Sequence, residues 1–285
     1  PDTLIVPGET WVNDPNNDGT IASYRRSSFK KWWVGNLINQ DRTVREKMCI
    51  FWHNHFSTES NDVSNAQYVY KHHNLIRSSA LGNIKSLTRA MSIDPAMLVY
   101  LNGQNNNKAA PDENYSREIQ ELFVIGKGPG ADFTESDVKE AAKLLTGWRN
   151  NATKIDSYFD ATRHDTTNKQ FSSFYGNKVI TGRTGATAGD TELNDFINML
   201  FANDEAALFL CRKLYIWFIY YKITPEVEAG VIAPLAKLLR DSNYEVKPVL
   251  KALLSSDHFY DMMNRGCQIK SPVDMMIGLL REFEV

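Results

Sequence analysis

Residues 111–126 read PDENYSREIQELFVIG, and this stretch decides the fold class. Its apolar side chains Tyr115, Ile119 and Leu122 recur at i, i+4 and i+7, which is the spacing of one face of an α-helix. The Pro-Asp pair is typical of a helix start, and Gly126 readily takes the positive φ that ends a helix. The stretch therefore predicts a helix that stops just before Gly126.

The same periodicity recurs on both sides of this stretch. Two packed helices are predicted around Phe29–Ile38 and Val44–Trp52. The other predicted helices cover about 65–79, 84–92, 95–101, 134–146, 192–202, 204–221, 225–241, 245–255 and 271–283, the 134–146 helix starting at a Thr134/Asp137 capping box. From Arg149 to Gly189 the helical period disappears, and aromatic residues alternate with Thr, Asn and Gly. The sequence thus predicts a mainly α protein, a multi-helical orthogonal array with a small β-hairpin or ordered loop around 150–189.

The chain is predicted to form one helical domain over residues 21–285. Residues 1–20 are rich in Pro, Gly, Asn and Asp and show no period, so we expect an irregular arm there. The chain starts at Pro1 rather than Met, which suggests a trimmed sequence, so the absence of a signal peptide here says nothing about the native precursor, and localisation has to come from other features.

Composition narrows the class of protein. The chain has 285 residues, 42% of them hydrophobic and 23% charged, as expected of a globular protein with a sizeable core. The formal net charge of -2, without a basic cluster, argues against nucleic acid as a partner. No apolar run approaches the roughly 20 residues that a bilayer span requires. Three widely spaced cysteines predict neither a disulfide framework nor a cysteine zinc site.

Acidic side chains stand beside the apolar stripe of the helix after Pro111. Asn114, Glu118 and Glu121 fall at i, i+4 and i+7, so they share one face. A carboxylate near the core needs hydrogen bonds or a positive partner, because burying an unpaired charge costs several kcal/mol. Arg77, Arg117 or a metal ion are the candidate partners. The pattern is equally typical of Arg–Glu pairs that lock helices together.

Histidines form a second group. Residues 52–56 read WHNHF, and His72-His73 follow. An HxH pair can chelate one metal ion from a strand but points in two directions from a helix, and this pair lies at a predicted helix end. His53, His55 and His73, with Glu118, are therefore candidate ligands of a divalent metal. A hydrogen-bonded core histidine among aromatic residues is the alternative.

A third group, His164-Asp165 with Lys169, lies in the aperiodic insertion, where a rigid scaffold often places functional side chains. In a hairpin, successive side chains point to opposite faces, so His164 and Asp165 should diverge while Asp165 and Lys169 share a face. Catalysis and stabilisation of a turn are both compatible with this pattern. The chain has no GxSxG, GxxxxGK[ST] or GxGxxG motif.

Taken in order, these motifs resemble the bacterial family called domain of unknown function 1800. The residues that carry the resemblance are 52–56 (WHNHF), 73–77 (HNLIR), 80–83 (ALGN), 94–98 (DPAML), 114–118 (NYSRE), 121–123 (ELF), 134–138 (TESDV), 146–148 (TGW), 164–165 (HD), Lys169, 212–214 (RKL) and 270–273 (KSPV). Ser116 stands where the family usually has Ala, and 123–125 (FVI) departs from the usual run. The family commonly continues beyond the position of Val285, so a C-terminal part of the fold is expected to be missing.

The resemblance implies an exported protein, periplasmic or secreted, often encoded beside a partner family that resembles sulfatases. No reaction is established for the family. Our first hypothesis is a hydrolase acting on an extracytoplasmic polymer or its substituents, with Glu118 and Glu121 as acid, base or metal ligands and His55 and His164 completing the site. The candidate binding residues are Arg77, Asn114, Arg117, Asp165 and Lys169.

Two other classes of protein compete with the hydrolase. One is a non-catalytic binding or assembly protein in which the polar side chains form a buried structural network. The other is a redox protein that holds haem or another cofactor among its aromatic residues, although the chain has no CxxCH attachment motif.

Overall fold

The computed structural model describes residues 11–13 and 19–283. Most of the predicted N-terminal arm, residues 1–20, lies outside these ranges. Its described part comprises a short 3-10 turn, Trp11–Asn13, and the first two residues of a long helix.

The described chain is mainly helical, as predicted. The helices are α1 (Gly19–Ile38), α2 (Arg45–His55), α3 (Ser60–Val63), α4 (Ala66–Ser79), α5 (Ile84–Met91), α6 (Pro95–Tyr100), α7 (Glu113–Glu118), α8 (Glu135–Leu144), α9 (Ala188–Ala202), α10 (Asp204–Phe218), α11 (Pro225–Val227), α12 (Ala233–Asp241), α13 (Val246–Leu254), α14 (Asp257–Tyr260) and α15 (Pro272–Glu282). No helix in the described part of the chain is long and apolar enough to cross a bilayer.

Polar side chains fix the starts of the helices that carry the candidate residues. The Asn65 side chain accepts hydrogen bonds from the second and third backbone N–H groups of α4, and the Asp94 side chain accepts one from the third backbone N–H group of α6. Before α8, the Thr134 and Asp137 side chains each accept from the other's backbone N–H. The capping box predicted from the sequence is confirmed.

The helix after Pro111 is not α-helical throughout. Beyond α7 it continues as a π turn, Ile119–Val124, before it ends at Gly126, whose φ is +95°. A π turn adds one residue, so the residue that faces the core after Ile119 is Phe123, which is 4% exposed. Leu122 is 46% exposed, and its predicted place on the buried stripe is wrong.

The aperiodic insertion forms two small antiparallel hairpins. Strand β1 (Trp148–Asn151) pairs with β2 (Asp156–Phe159), and β3 (Lys169–Gln170) pairs with β4 (Val179–Ile180). The predicted β-like insertion is confirmed. The segments between its short strands form hydrogen-bonded turns instead of extending a sheet. Aromatic side chains of these segments pack onto the helices.

Buried apolar side chains form two clusters. The larger extends from α2 and α5 through the helix after Pro111 to α8, α9, α10 and α12. The smaller includes Phe29 and Trp32 of α1 and Tyr68, Val69 and Tyr70 of α4. The smaller cluster is rich in aromatic rings, and it adjoins the histidines of α2 and α4.

Candidate functional site

The carboxylate of Glu121 is held by two basic side chains. Lys127 Nζ lies 2.5 Å from Glu121 Oε2, and an Arg117 guanidinium nitrogen lies 3.8 Å from Oε1. Only 11% of the Glu121 side chain is exposed, whereas Lys127 is mostly in water. Arg117 also bonds Glu135 at 2.6 Å, so it links α7 to the start of α8. Of the two arginines predicted as partners of the carboxylates, Arg117 takes that role.

Glu118 lies in a different environment. Its Oε2 atom is buried and has no hydrogen-bond partner among the described residues. Burial, and then the charge of Glu121, raise the pKa of Glu118 above its usual value, while Lys127 and Arg117 offset part of that shift. The environment of Glu118 therefore favours its protonated form.

The remaining binding candidates of this group have other partners. Arg77 pairs with the buried carboxylate of Glu46 on α2, and its guanidinium lies over the ring of Trp32. Asn114 donates from Nδ2 to the Leu101 carbonyl oxygen at 3.2 Å, on an exposed surface.

The side chain of His55 forms a hydrogen bond with the end of the π turn. Its Nε2 atom lies 2.9 Å from the carbonyl oxygen of Phe123, one of the last carbonyls of a helix, which have no partner within the helix. A carbonyl can only accept, so Nε2 carries the proton and Nδ1 is left without one. Nδ1 is buried and finds no partner in the described chain. Burial, and then the charge of Lys213, hold the pKa of His55 well below its usual value, so the ring is neutral.

The insertion residues meet around a glutamate that the sequence analysis missed. Glu192 of α9 is fully buried, as is Lys169, whose Nζ lies 2.7 Å from Glu192 Oε2. His164 Nε2 lies 3.1 Å from Glu192 Oε1, which also accepts from the backbone N–H of Arg183 at 2.6 Å. Lys169 also bonds the Asp165 carbonyl oxygen at 2.5 Å. We call this group, Glu192, Lys169, His164 and Asp165, the buried ion network.

Both ring nitrogens of His164 have partners, which fix the orientation of the ring. Its Nδ1 atom lies 3.0 Å from the Thr146 carbonyl oxygen, and its Nε2 atom faces Glu192. Both partners are acceptors, so both contacts are hydrogen bonds only when each ring nitrogen carries a proton. Although burial acts to raise it, hydrogen bonds from His164 and Lys169 hold the pKa of Glu192 below its usual value.

The side chains of His164 and Asp165 were predicted to point to opposite faces of a hairpin, and the local structure differs from that prediction. His164 follows a 3-10 turn, Ala161–Arg163, rather than lying within a hairpin strand. The side chain of Asp165 accepts from the backbone N–H of Thr167 at 2.8 Å and stabilises the following turn, while its carbonyl oxygen faces Lys169. His164, Asp165 and Lys169 therefore belong to one group, although only His164 and Lys169 contact Glu192 through their side chains.

The histidines of α4 have opposite environments. His72 is fully bonded, because Nδ1 lies 2.9 Å from Asp94 Oδ2 and Nε2 lies 3.0 Å from the Phe56 carbonyl oxygen. His73, the next residue, is 1% exposed, and neither of its ring nitrogens has a hydrogen-bond partner among the residues the structure describes. Polar atoms that are buried without a partner are costly, so each one calls for an explanation.

The side chains that carry these unpartnered nitrogens line a cavity of about 210 Å³. Trp33 and His73 have ring centroids 4.2 Å apart, and His53 meets Trp33 edge to face at 5.0 Å. His53 Nδ1 and Trp33 Nε1 are also buried, with no partner within the described ranges. We call this cavity the aromatic–histidine pocket; its lining includes Phe29, Trp33, His53, Ser60, Val69 and His73.

Both histidines with free nitrogens in this pocket are neutral near neutral pH. Burial, and then the charge of His72, lower the pKa of His53 to about 4. Burial is also the largest cause that lowers the pKa of His73 well below its usual value, with the charges of His53, Arg77 and His72 adding to it. A neutral imidazole has one donor and one acceptor nitrogen, so the pocket offers both.

The predicted site residues therefore fall into separate groups. His53 and His73 line the aromatic–histidine pocket; His55 ends the π turn; Glu118 and Glu121 lie with Arg117; His164 lies in the buried ion network. Within the described ranges, no three His, Cys, Asp or Glu side chains are arranged to hold a metal ion. The four candidate ligands do not form one cluster.

The polar groups missed by the sequence analysis are Glu192, Thr146 and the indole of Trp33. A glutamate near a helix start is common, so Glu192 carried no signal of its own. A fully buried lysine needs an acidic partner close to it, so the burial of Lys169 was the one property that could have indicated a role for Glu192.

No curated protein and no solved structure is similar enough to count as a match. The profile of the family described as "Protein of unknown function (DUF1800)" matches residues 16–285, which is nearly the whole chain and includes every candidate residue named above. The chain therefore belongs to the domain of unknown function 1800 family.

Proposed function

We propose that this protein binds a small molecule in the aromatic–histidine pocket, and that its other polar clusters hold the fold together. The observation that carries the proposal is His73, a neutral histidine with 1% exposure and two unpartnered ring nitrogens at a cavity. Neighbouring His72 is buried to the same degree and has a partner on each nitrogen, so burial in this helix does not by itself prevent hydrogen bonding.

The energetics favour a ligand at this position. A buried polar group without a partner costs about 1–3 kcal/mol, and His73, His53 and Trp33 each contribute at least one such group. A bound molecule that satisfies them recovers that free energy on binding. Apolar walls with a few converging polar atoms are the usual composition of a small-molecule site.

Blocking the entrance tests the proposal. Ser60 lies at the pocket, at the start of the short helix α3, and Ser60→Trp should fill its mouth; Asn61→Trp on the same helix is the matched control, because Asn61 is exposed and does not line the cavity. We expect ring-sized fragments to shift the side-chain nitrogen resonances of His53 and His73 in the wild type and in Asn61→Trp, with at least tenfold weaker binding in Ser60→Trp. Equal binding by all three proteins would contradict the proposal.

A hydrolase acting outside the cytoplasm is the second candidate, and the contrast between Glu118 and Glu121 favours it. Burial and the neighbouring charge raise the pKa of Glu118, while the carboxylate of Glu121 lies beside the basic side chains of Lys127 and Arg117. Carboxylates whose environments separate their affinities for protons are typical of acid and base pairs in glycoside hydrolysis.

Hydrolysis assays on variants with a substituted glutamate test the second candidate. A panel of nitrophenyl glycosides, esters and sulfates would be screened first. If one is hydrolysed, Glu118→Gln should lower kcat by about 10²–10⁴-fold, as loss of a general acid does. Glu113→Gln is the control, since Glu113 lies on the same helix with a side chain that is 37% exposed. Unchanged turnover in Glu118→Gln would exclude Glu118 as the acid.

Export and a sulfatase-like partner remain proposals that rest on the family resemblance. Fractionation of cells that express the natural precursor should place the protein in the periplasm or the medium, and the partner should co-purify with it from that fraction. Recovery from the cytoplasm alone would contradict the first of these proposals.

A further inference from the structure

The aromatic–histidine pocket restricts its ligand by size. The cavity is about 210 Å³, and an apolar protein cavity of roughly 150 Å³ is large enough for benzene. One six-membered ring with one or two substituents therefore fills the pocket, whereas a nucleotide, a disaccharide or a haem is too large to be enclosed by it.

The walls favour an aromatic ring. Phe29, Trp33 and Val69 supply apolar surface, and the rings of Trp33 and His53 already meet edge to face, with an interplanar angle of 87°. A flat ring continues this arrangement, because aromatic pairs prefer edge-to-face or offset contacts at centroid distances of about 4.5–7 Å.

The polar atoms restrict the chemistry further. The neutral ring of His73 presents one N–H donor and one bare nitrogen acceptor, the indole of Trp33 presents a donor, and none of them is bonded within the described chain. A carboxylate could only accept and an ammonium group could only donate, so either would leave part of this set unpaired. Lys30 and Glu59 also line the cavity and carry opposite charges, so together they favour neither an anion nor a cation. A hydroxyl group donates and accepts at the same atom.

We infer that the aromatic–histidine pocket binds a small uncharged aromatic molecule that carries a hydroxyl group, with the ring against the side chains of Phe29 and Trp33 and the hydroxyl on His73. This inference rests on the proposed function, since it names the ligand class of the same pocket. Phenol is the simplest member of the class and serves as the probe.

The test compares phenol with molecules that lack one feature each. Binding to the whole chain is measured by the shifts of the His53 and His73 ring nitrogens. Phenol should bind about fivefold to tenfold more tightly than benzene, as expected for a satisfied buried hydrogen bond. Anisole, whose oxygen can accept a hydrogen bond but cannot donate one, should bind with an affinity between those of benzene and phenol. Benzoate and benzylammonium should not bind.

Variants assign the preference to His73. In His73→Phe the ratio of the phenol and benzene affinities should fall to about one, and His73→Gln, which keeps polar atoms, covers the case in which the phenylalanine variant does not fold. The matched control is His258→Phe, because His258 bonds the hydroxyl of Tyr215 away from the pocket. It should keep the wild-type ratio.

The outcomes separate the ligand class from the function. Equal affinities for phenol and benzene in the wild type, or a phenol preference that survives His73→Phe, would overturn the inference. Binding of benzoate or benzylammonium in place of phenol would reject the hydroxyl class and leave a binding function standing. If no probe shifts either histidine, both the ligand class and the proposed function are wrong.

Discussion

Replacing Glu192 with glutamine should lower the free energy of unfolding by about 3–5 kcal/mol, the usual cost of removing one partner from a buried ion pair. The substitution keeps the size of the side chain and removes the charge that faces Lys169 at 2.7 Å and His164 at 3.1 Å. Glutamine can accept at one end of its amide only, so a donor of Lys169 or Arg183 meets the amide nitrogen.

Urea denaturation near neutral pH measures this effect. Asp190→Asn is the matched control, since Asp190 lies in the first turn of the same helix, with a side chain that is half exposed and paired with Arg89. Its loss should cost less than about 1 kcal/mol. Lys169→Met combined with Glu192→Gln should recover part of the stability by removing the unpaired ammonium. A loss below about 1 kcal/mol in Glu192→Gln would show that the network does not stabilise the fold.

Acidification from neutral pH to about 4 should destabilise the fold by on the order of 3 kcal/mol through His53 alone. The pKa of His53 is about 4 in the folded chain and near its usual value when the chain is unfolded, so the unfolded state binds more protons in this range. Stability therefore rises with pH through the window and is lost as the pH falls.

Three other groups act in the same direction. The pKa values of His55 and His73 also lie well below the usual value, so their protonation opposes folding as the pH falls. The pKa of Glu192 is lowered, so its contribution is present above the unfolded pKa and is lost as the pH falls through the folded one. Acid should therefore unfold the protein steeply.

The slope of stability against pH tests this expectation. Below the usual histidine pKa, His53→Asn should reduce the slope by up to about 1.4 kcal/mol per pH unit, the equivalent of one proton. A slope that is the same in the wild type and in His53→Asn would mean that His53 titrates alike in the folded and unfolded chains.

Local sequence was enough to predict most helices. The starts of α4, α6 and α8 depend on Asn65, Asp94 and Thr134, whose side chains bond to backbone groups within three residues. Such interactions are contained in a short window of sequence, and tertiary packing reinforces them without changing them.

The π turn could not be predicted in this way. An α-helix and a π-helix both satisfy most of their own backbone hydrogen bonds. Residues that are distant in the sequence select the π pattern here. His55 bonds the Phe123 carbonyl, and Gly126 lies so close to the ring of Phe209 that a Cβ atom there would be 2.6 Å from it. The exposure of Leu122 follows from these contacts.

The candidate site was predicted in its chemistry more than in its geometry. His53 and His73, which line the pocket, were predicted as ligands of a metal ion. Trp33 and Phe29, which line it too, were predicted only to pack helices together. Which histidine on α4 bonds and which does not depends on Asp94, 22 residues away from His72. No local pattern distinguishes His72 from His73.

The buried ion network has a consequence for local opening of the chain. It ties loop residues between β2 and β3, which have no regular ladder of hydrogen bonds, to the helix α9 through Glu192. Local opening of this loop would leave the Glu192 carboxylate unpaired in the interior, so it costs nearly as much as unfolding α9 itself. The backbone amides of Asp165 and Arg183, which bond Thr146 and Glu192, should therefore exchange with heavy water as slowly as those of the helix, as one cooperative unit.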